Sequence, residues 1–244
     1  MKKDFFKFSL FLNIIFAALS VVFTLIYYSY STSVVEGEGF LRFLYYLKTF
    51  FDLLAVFVGY STIIYGFTRL DFKGGLLSLG IFSISYLISF IFLVVGACFD
   101  NSSVFTADFF VYVIYYSFGN SFITQMIPAL FAAFITYLLT KNGAPKLFGF
   151  ITVKNPAQKV MLIVTLSLFG ANVLLFSGFS VIPSVIAEVT KYGGIHAGSL
   201  STIIESYVEI IVFYLLMQYV VYYFTFKIYD NYTKSNNLKG QVKQ

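Results

Sequence analysis

The sequence has no tryptophan, one cysteine (Cys98), one histidine (His196) and four prolines. A lone cysteine excludes an intramolecular disulfide. One histidine and one cysteine are too few ligands for a zinc site, and no HExxH stretch occurs, so zinc-protease chemistry is not expected. No Walker motif is present, and any ATP-driven role requires a separate ATPase subunit. Charge is scarce as well: 11% of residues are charged, against about 25% in soluble domains. With 59% hydrophobic residues and a mean hydropathy of +0.85, the chain reads as a polytopic membrane protein whose main partner is the lipid bilayer. The formal charge of +5 follows membrane topology and is not read as a nucleic-acid signature. Nothing in the sequence calls for a cofactor.

What is present in quantity is Phe (32) and Tyr (20), so tyrosine carries the interfacial anchoring that tryptophan usually shares. A crossing of about 30 Å needs roughly 20 apolar residues. Spans are expected at 8–30, 41–67, 76–98, 119–140, 157–182 and 200–226, in an all-α bundle of six transmembrane helices forming a single domain. The connections alternate in charge. Lys2, Lys3 and Lys7 precede the first span, Arg69 and Lys73 follow the second, and Lys141, Lys146, Lys154 and Lys159 follow the fourth. Lys227, Lys234, Lys239 and Lys243 lie in the short basic tail, 227–244. Glu36 and Glu38, Asp100 and Asp108, and Glu188 with Lys191 and His196 fall in the other connections. By the positive-inside rule both termini are cytoplasmic, and the expected location is the plasma membrane. The first span is too long for a signal-peptide core and lacks a small-x-small cleavage site, so it is expected to remain as a helix.

Residues 104–140 are too long for one straight crossing, about 55 Å if helical throughout. Gly119-Asn120-Ser121 offers a break. One crossing at 119–140, with 108–118 as an interfacial or re-entrant helix, keeps both basic segments on one side; a long tilted helix is the alternative. Asn155-Pro156 reads as an N-cap followed by proline at the first helical position. Ser78, Ser85, Ser89 and Gly96 form a small-residue stripe suited to close helix packing. Tyr, Thr and a basic residue close the even-numbered spans alike ("YGFTR", "YLLTK", "YYFTFK"), a composition that suits any cytoplasmic interface. The lysines of 141–159, interleaved with Leu147, Phe148, Phe150 and Ile151, set topology or meet anionic lipid.

The chemistry-bearing residues are the charges inside spans. Glu205 and Glu209 are four apart on one helix face, extended by Ser201 and Thr202; Lys48 and Asp52 share a face in the second span. If each span begins at the outer surface, Lys48, Asp52 and Glu209 lie about 10, 16 and 14 Å deep. A charge at mid-membrane costs about 2.5–3.5 kcal/mol unless it is paired or hydrated. Matching depths predict an ion-pair network joining the second and sixth spans in the outer half, with Arg42 joining it or snorkelling outward. Asn120, Gln125 and Asn172 are secondary candidates to line the same cavity, as is Asn13. Three carboxylates against one or two cations leave room for a proton, a bound cation or a basic ligand.

The glutamate-pair and Ser–His patterns of intramembrane proteases are absent, and the chain is not expected to be an enzyme. His196 lies in a glycine-rich outer turn. Six helices with both ends inside are common to solute-binding subunits of energy-coupled transporters and to permease subunits of ABC exporters. The outer-half charges point to a membrane transport component recognising a cation or small basic solute, alone or with a cytoplasmic ATPase or another subunit. A non-catalytic permease or immunity subunit, in which the charges only hold helices together, is the alternative, and an intramembrane enzyme the third.

Overall fold

The computed structural model describes residues 2–33, 38–100, 125–141 and 155–241. These are almost wholly helical, and among them there is no strand. Helix α1 is Lys2–Ser33. Helix α2, Glu38–Tyr65, ends in a π-helical turn, Gly66–Leu70. Helix α3 is Phe72–Asp100, and α4 is Ile127–Lys141. Helix α5, Pro156–Phe176, continues through a π-helical turn, Ser177–Val181, into α6, Ile182–Tyr192. Helix α7, Ala197–Glu209, continues through Ile210–Met217 into α8, Gln218–Gln241.

Among the described residues five stretches are long and apolar enough to cross a membrane: Asp4–Tyr27, Gly39–Leu70, Phe72–Phe92, Pro156–Phe176 and Ala197–Ser235. The expected span at 119–140 is represented among the described residues by α4, which has 15 residues. The expected helix at 108–118 lies outside the described residues.

Local signals account for the helix ends. Asn155 Oδ1 accepts from the Ala157 N–H at 3.0 Å, and Pro156 follows, as its sequence implies. Asp71 Oδ1 accepts from the Gly74 N–H at 2.7 Å, capping α3 after a one-residue break. Gly193 ends α6 with φ +74°, a left-handed backbone that favours glycine.

Helix α2 is the hub. Every residue from Phe57 to Phe67 is buried, so no face of that stretch meets lipid. It is wrapped by α1, α3, α4 and α8. At one end, Phe5 of α1 stacks on Tyr65 and meets Tyr229 edge-on, while Tyr65 also packs against Phe226. Arg69 pairs with Asp230 at 3.4 Å, and the Tyr65 hydroxyl donates to the same carboxylate at 3.1 Å. The beginning of α1, the end of α2 and α8 therefore share one end of the bundle. The exposed basic side chains Lys7, Arg69, Lys73, Lys141, Lys227 and Lys234 also lie on the elements that meet there. The small-residue stripe packs as expected where it is described: Ser78 and Ser85 are buried, and each hydroxyl donates to the carbonyl four residues back.

Three expectations need correction. Residues 183–199 are not a loop but a helical hairpin with a short turn at 193–196, because the rod begun by α5 continues as α6 to Tyr192 and α7 begins at Ala197. Lys159 is not a surface charge of a connecting segment; it is 5% exposed in the first turn of α5. The contact of α2 with the last helix does not lie at Asp52 and Glu209. It runs from Phe57 against Tyr214 to Arg69 against Asp230, at the end holding the termini.

Candidate functional site

Two polar assemblies stand in the half of the molecule away from the termini. The first is built on Asp52. Lys48 Nζ donates to Asp52 Oδ2 at 2.9 Å, the one-turn pair that their spacing implies. The other carboxylate oxygen accepts from Ser20 Oγ at 2.5 Å and Thr24 Oγ1 at 3.4 Å, both on α1. Phe23 stacks on Phe51 beside them. Asp52 is thus held by α1, not by the last helix. With Arg69 at one interface, Asp52 stands about 26 Å along a helix rising ~1.5 Å per residue. That places it close to the opposite interface of a ~30 Å layer, where a charge costs less than at mid-membrane.

Because Ser20 and Thr24 add hydrogen bonds to a charged acceptor, Asp52→Asn is expected to destabilise the bundle by about 1–2 kcal/mol and Ser20→Ala by about 1 kcal/mol. Helicity followed through a denaturing-detergent titration checks both. An Asp52→Asn bundle as stable as the parent would show that this contact does not hold α1 to α2.

The other residues singled out in the sequence are dispersed. Arg42 is exposed. Gln125 is half-buried, and its main-chain carbonyl accepts from the Tyr60 hydroxyl at 3.3 Å. Asn172 returns its amide to Leu168 O of its own helix at 2.9 Å. Asn120 lies outside the described residues. Asn13 is buried nearer the other end, where its amide donates to Thr62 Oγ1 at 3.0 Å. Glu205 and Glu209 are exposed on α7, and among the described residues neither forms an ion pair.

The second assembly is the hairpin of α6 and α7. At its base the Ser177 and Tyr207 hydroxyls are 2.6 Å apart, and Phe176 meets Tyr207 edge-on. At its tip Glu188 accepts from the Ser199 hydroxyl and, at 3.4 Å, from the His196 main-chain N–H. Between these two ties the helices splay around a cavity of about 300 Å³. Its polar lining is Ser184, Glu188, Ser199, Thr202 and Ser206, and its apolar lining is Phe176, Val181, Val185 and Ile203, with both kinds on each helix. Tyr207 stands about 34 Å along the last rod from Asp230, by the same rise. The cleft therefore lies at the end of the bundle away from Asp230 and the termini.

Of these residues, the sequence pattern ties Thr202 to the acidic face and places Glu188 in a connection between spans. The signal was present. Residues 181, 184, 185 and 188, and 199, 202, 203 and 206, each follow the spacing of one helix face. The glycines at 193, 194 and 198 and the polar residues around them obscured it. Glu205 and Glu209 follow Thr202 and Ser206 by three residues, so they flank the cleft on α7. The hairpin carries three carboxylates against one lysine, Lys191, whose ammonium lies 4.9 Å from the Tyr192 ring. Among the described residues no group of three His, Cys, Asp or Glu is placed to hold a metal ion. No protein-family model, curated protein or solved structure matches the chain.

Proposed function

We propose that the chain is a membrane transport component that recognises a cation or small basic solute at the end away from its termini. The observation that carries this is the hairpin cleft, in which a carboxylate and hydroxyls stand among apolar side chains, flanked by Glu205 and Glu209. Negative charge at the mouth of a low-dielectric cleft raises the local concentration of cations. Lysines gathered at the opposite end favour cytoplasmic termini, which turns the cleft outward in the plasma membrane. No Walker motif occurs in the sequence, so an ATP-driven role would rest on a cytoplasmic ATPase subunit.

The test is thermal stability of the full chain in nanodiscs against a panel of basic, neutral and acidic solutes and inorganic cations. Stabilisation confined to cations and basic solutes is expected, with a rise equivalent to about 2.7 kcal/mol at a hundred times Kd. Stabilisation by none, or only by acidic or neutral solutes, would overturn the proposal.

The second reading, a non-catalytic permease or immunity subunit, is favoured by a different observation. The Lys48–Asp52 pair ties α1 to α2 through Ser20 and Thr24, as charges that serve only to join helices would. Co-purification of an ATPase with a chain that binds no solute would support it.

A further inference from the structure

The hydrogen-bond inventory of the cleft narrows what it takes. A serine or threonine hydroxyl has one hydrogen to give and two lone pairs to receive. On α7 all three lining hydroxyls have already spent that hydrogen. Ser199 gives it to Glu188, Thr202 to Gly198 O at 3.1 Å, and Ser206 to Thr202 O at 2.9 Å. Their lone pairs remain, and the Glu188 carboxylate is itself acceptor-only. The α7 wall and Glu188 together offer hydrogen-bond acceptors and negative charge, a poor match for an anion or a carbonyl-rich solute.

Two classes of ligand satisfy such a wall: a metal ion and a protonated amine. A hard cation such as calcium wants six to eight oxygens, several of them carboxylate. The cleft contains one carboxylate, and beyond it only the hydroxyls of Ser184, Ser199, Thr202 and Ser206; Phe176, Val181, Val185 and Ile203 have no side-chain oxygen to offer. A cavity of about 300 Å³ is also far larger than a bare ion and falls at the small end of ligand pockets. An ammonium head brings three N–H donors on one positive nitrogen, and its carbon body covers the apolar lining.

We infer that the cleft binds a small primary ammonium compound with an apolar body. The ammonium donates to Glu188 and to the lone pairs of Ser199 and Thr202, and the body lies against Phe176, Val185 and Ile203. This rests on the cation-recognition function proposed above and specifies its ligand. The Glu188–Ser199 tie closes the hairpin tip, so the same carboxylate that joins α6 to α7 holds the head group.

The experiment is calorimetric titration of the full chain in phosphatidylcholine nanodiscs, with empty nanodiscs subtracted for partitioning. The probes are phenethylammonium, its N-trimethyl analogue, phenethyl alcohol, and potassium and calcium chlorides. Phenethylammonium is expected to bind at least tenfold more tightly than the trimethyl analogue, which keeps the charge and the ring but has no N–H, and phenethyl alcohol is expected not to bind. Glu188→Gln, which preserves size, is expected to weaken binding at least tenfold. Val185→Phe, which fills the apolar lining and leaves every charge in place, is expected to block binding in a bundle of unchanged helicity. That second variant decides the matter should Glu188→Gln unfold the hairpin.

Equal affinity for the trimethyl compound, or binding of a metal ion alone, would overturn the amine assignment and leave cation recognition standing. Phenethylammonium binding that survives both substitutions would overturn the site. Binding of no cation of either class would overturn the proposed function together with the inference.

Discussion

Gly66→Ala is expected to lower the stability of the bundle by about 3 kcal/mol, at the upper end for overpacking a close-packed interior. Gly66 opens the π-helical turn after α2, and α3 crosses it at close range. A Cβ placed there would stand 2.7 Å from the Gly74 carbonyl oxygen and 2.9 Å from Ser78 Cβ, and nearer still to Ser78 Oγ. The obstacle on one side is main chain, which cannot swing away as a long side chain does. Ser78 Oγ is held as well, because it donates to Gly74 O at 2.8 Å. Alanine ordinarily gains up to about 1 kcal/mol over glycine in a helix, and the clash outweighs that gain here. Gly80 is the control: it is helical and nothing lies within 4 Å of its Cβ position. Gly80→Ala should be neutral or stabilising by up to about 1 kcal/mol. Far-UV helicity through a denaturing-detergent titration measures both. Equal stability of the two variants would show that α2 and α3 do not approach as closely as described.

The second large effect is expected at Thr62. Its hydroxyl is saturated. It donates to Val58 O at 2.8 Å, so it receives from the Asn13 amide at 3.0 Å and from the Tyr229 hydroxyl at 2.9 Å. One oxygen thereby joins α1, α2 and α8 within the bilayer. Thr62→Val keeps the shape and removes both acceptor sites, stranding two buried donors where no water replaces them. A single interhelical hydrogen bond in a membrane averages about 0.6 kcal/mol, but an orphaned buried donor costs about 1–3 kcal/mol. The expected loss is about 2–3 kcal/mol for Thr62→Val and about 1 kcal/mol for Tyr229→Phe, which removes one partner and strands none. Thr62→Ser should retain most of the stability. In the double variant the two losses should fall short of additive, since they share one bond. Strict additivity would mean that Thr62 and Tyr229 do not meet.

Short-range chemistry was legible in the linear sequence because it depends on residues within one helical turn. The Asn155-Pro156 cap, the serine stripe of α3 and the Lys48–Asp52 pair all fall in this class. So do the apolar stretches long enough to cross a membrane, which are read directly from the sequence. Helix rotation was not legible. In a soluble helix the polar face marks the outside, but in α3 and α5 lipid-facing and core-facing positions are equally apolar. Phe82 is buried and Phe92 exposed, with nothing in residue type to separate them. Matching depth therefore brought Asp52 and Glu209 together on paper, whereas packing turned Asp52 toward Ser20 and Thr24.

The sequence by itself determined that this chain is helical, with stretches long and apolar enough to cross a membrane, and where several helices begin, because hydrophobic length and caps act locally. Only the tertiary structure decided that α2 lies at the centre, that residues 183–192 and 197–199 are helical about a short turn, and that Glu188 faces Ser199 across a cleft. Those outcomes depend on side chains distant in sequence meeting across helices. In lipid, packing and buried hydrogen bonds select such partners, and hydrophobicity does not distinguish among them.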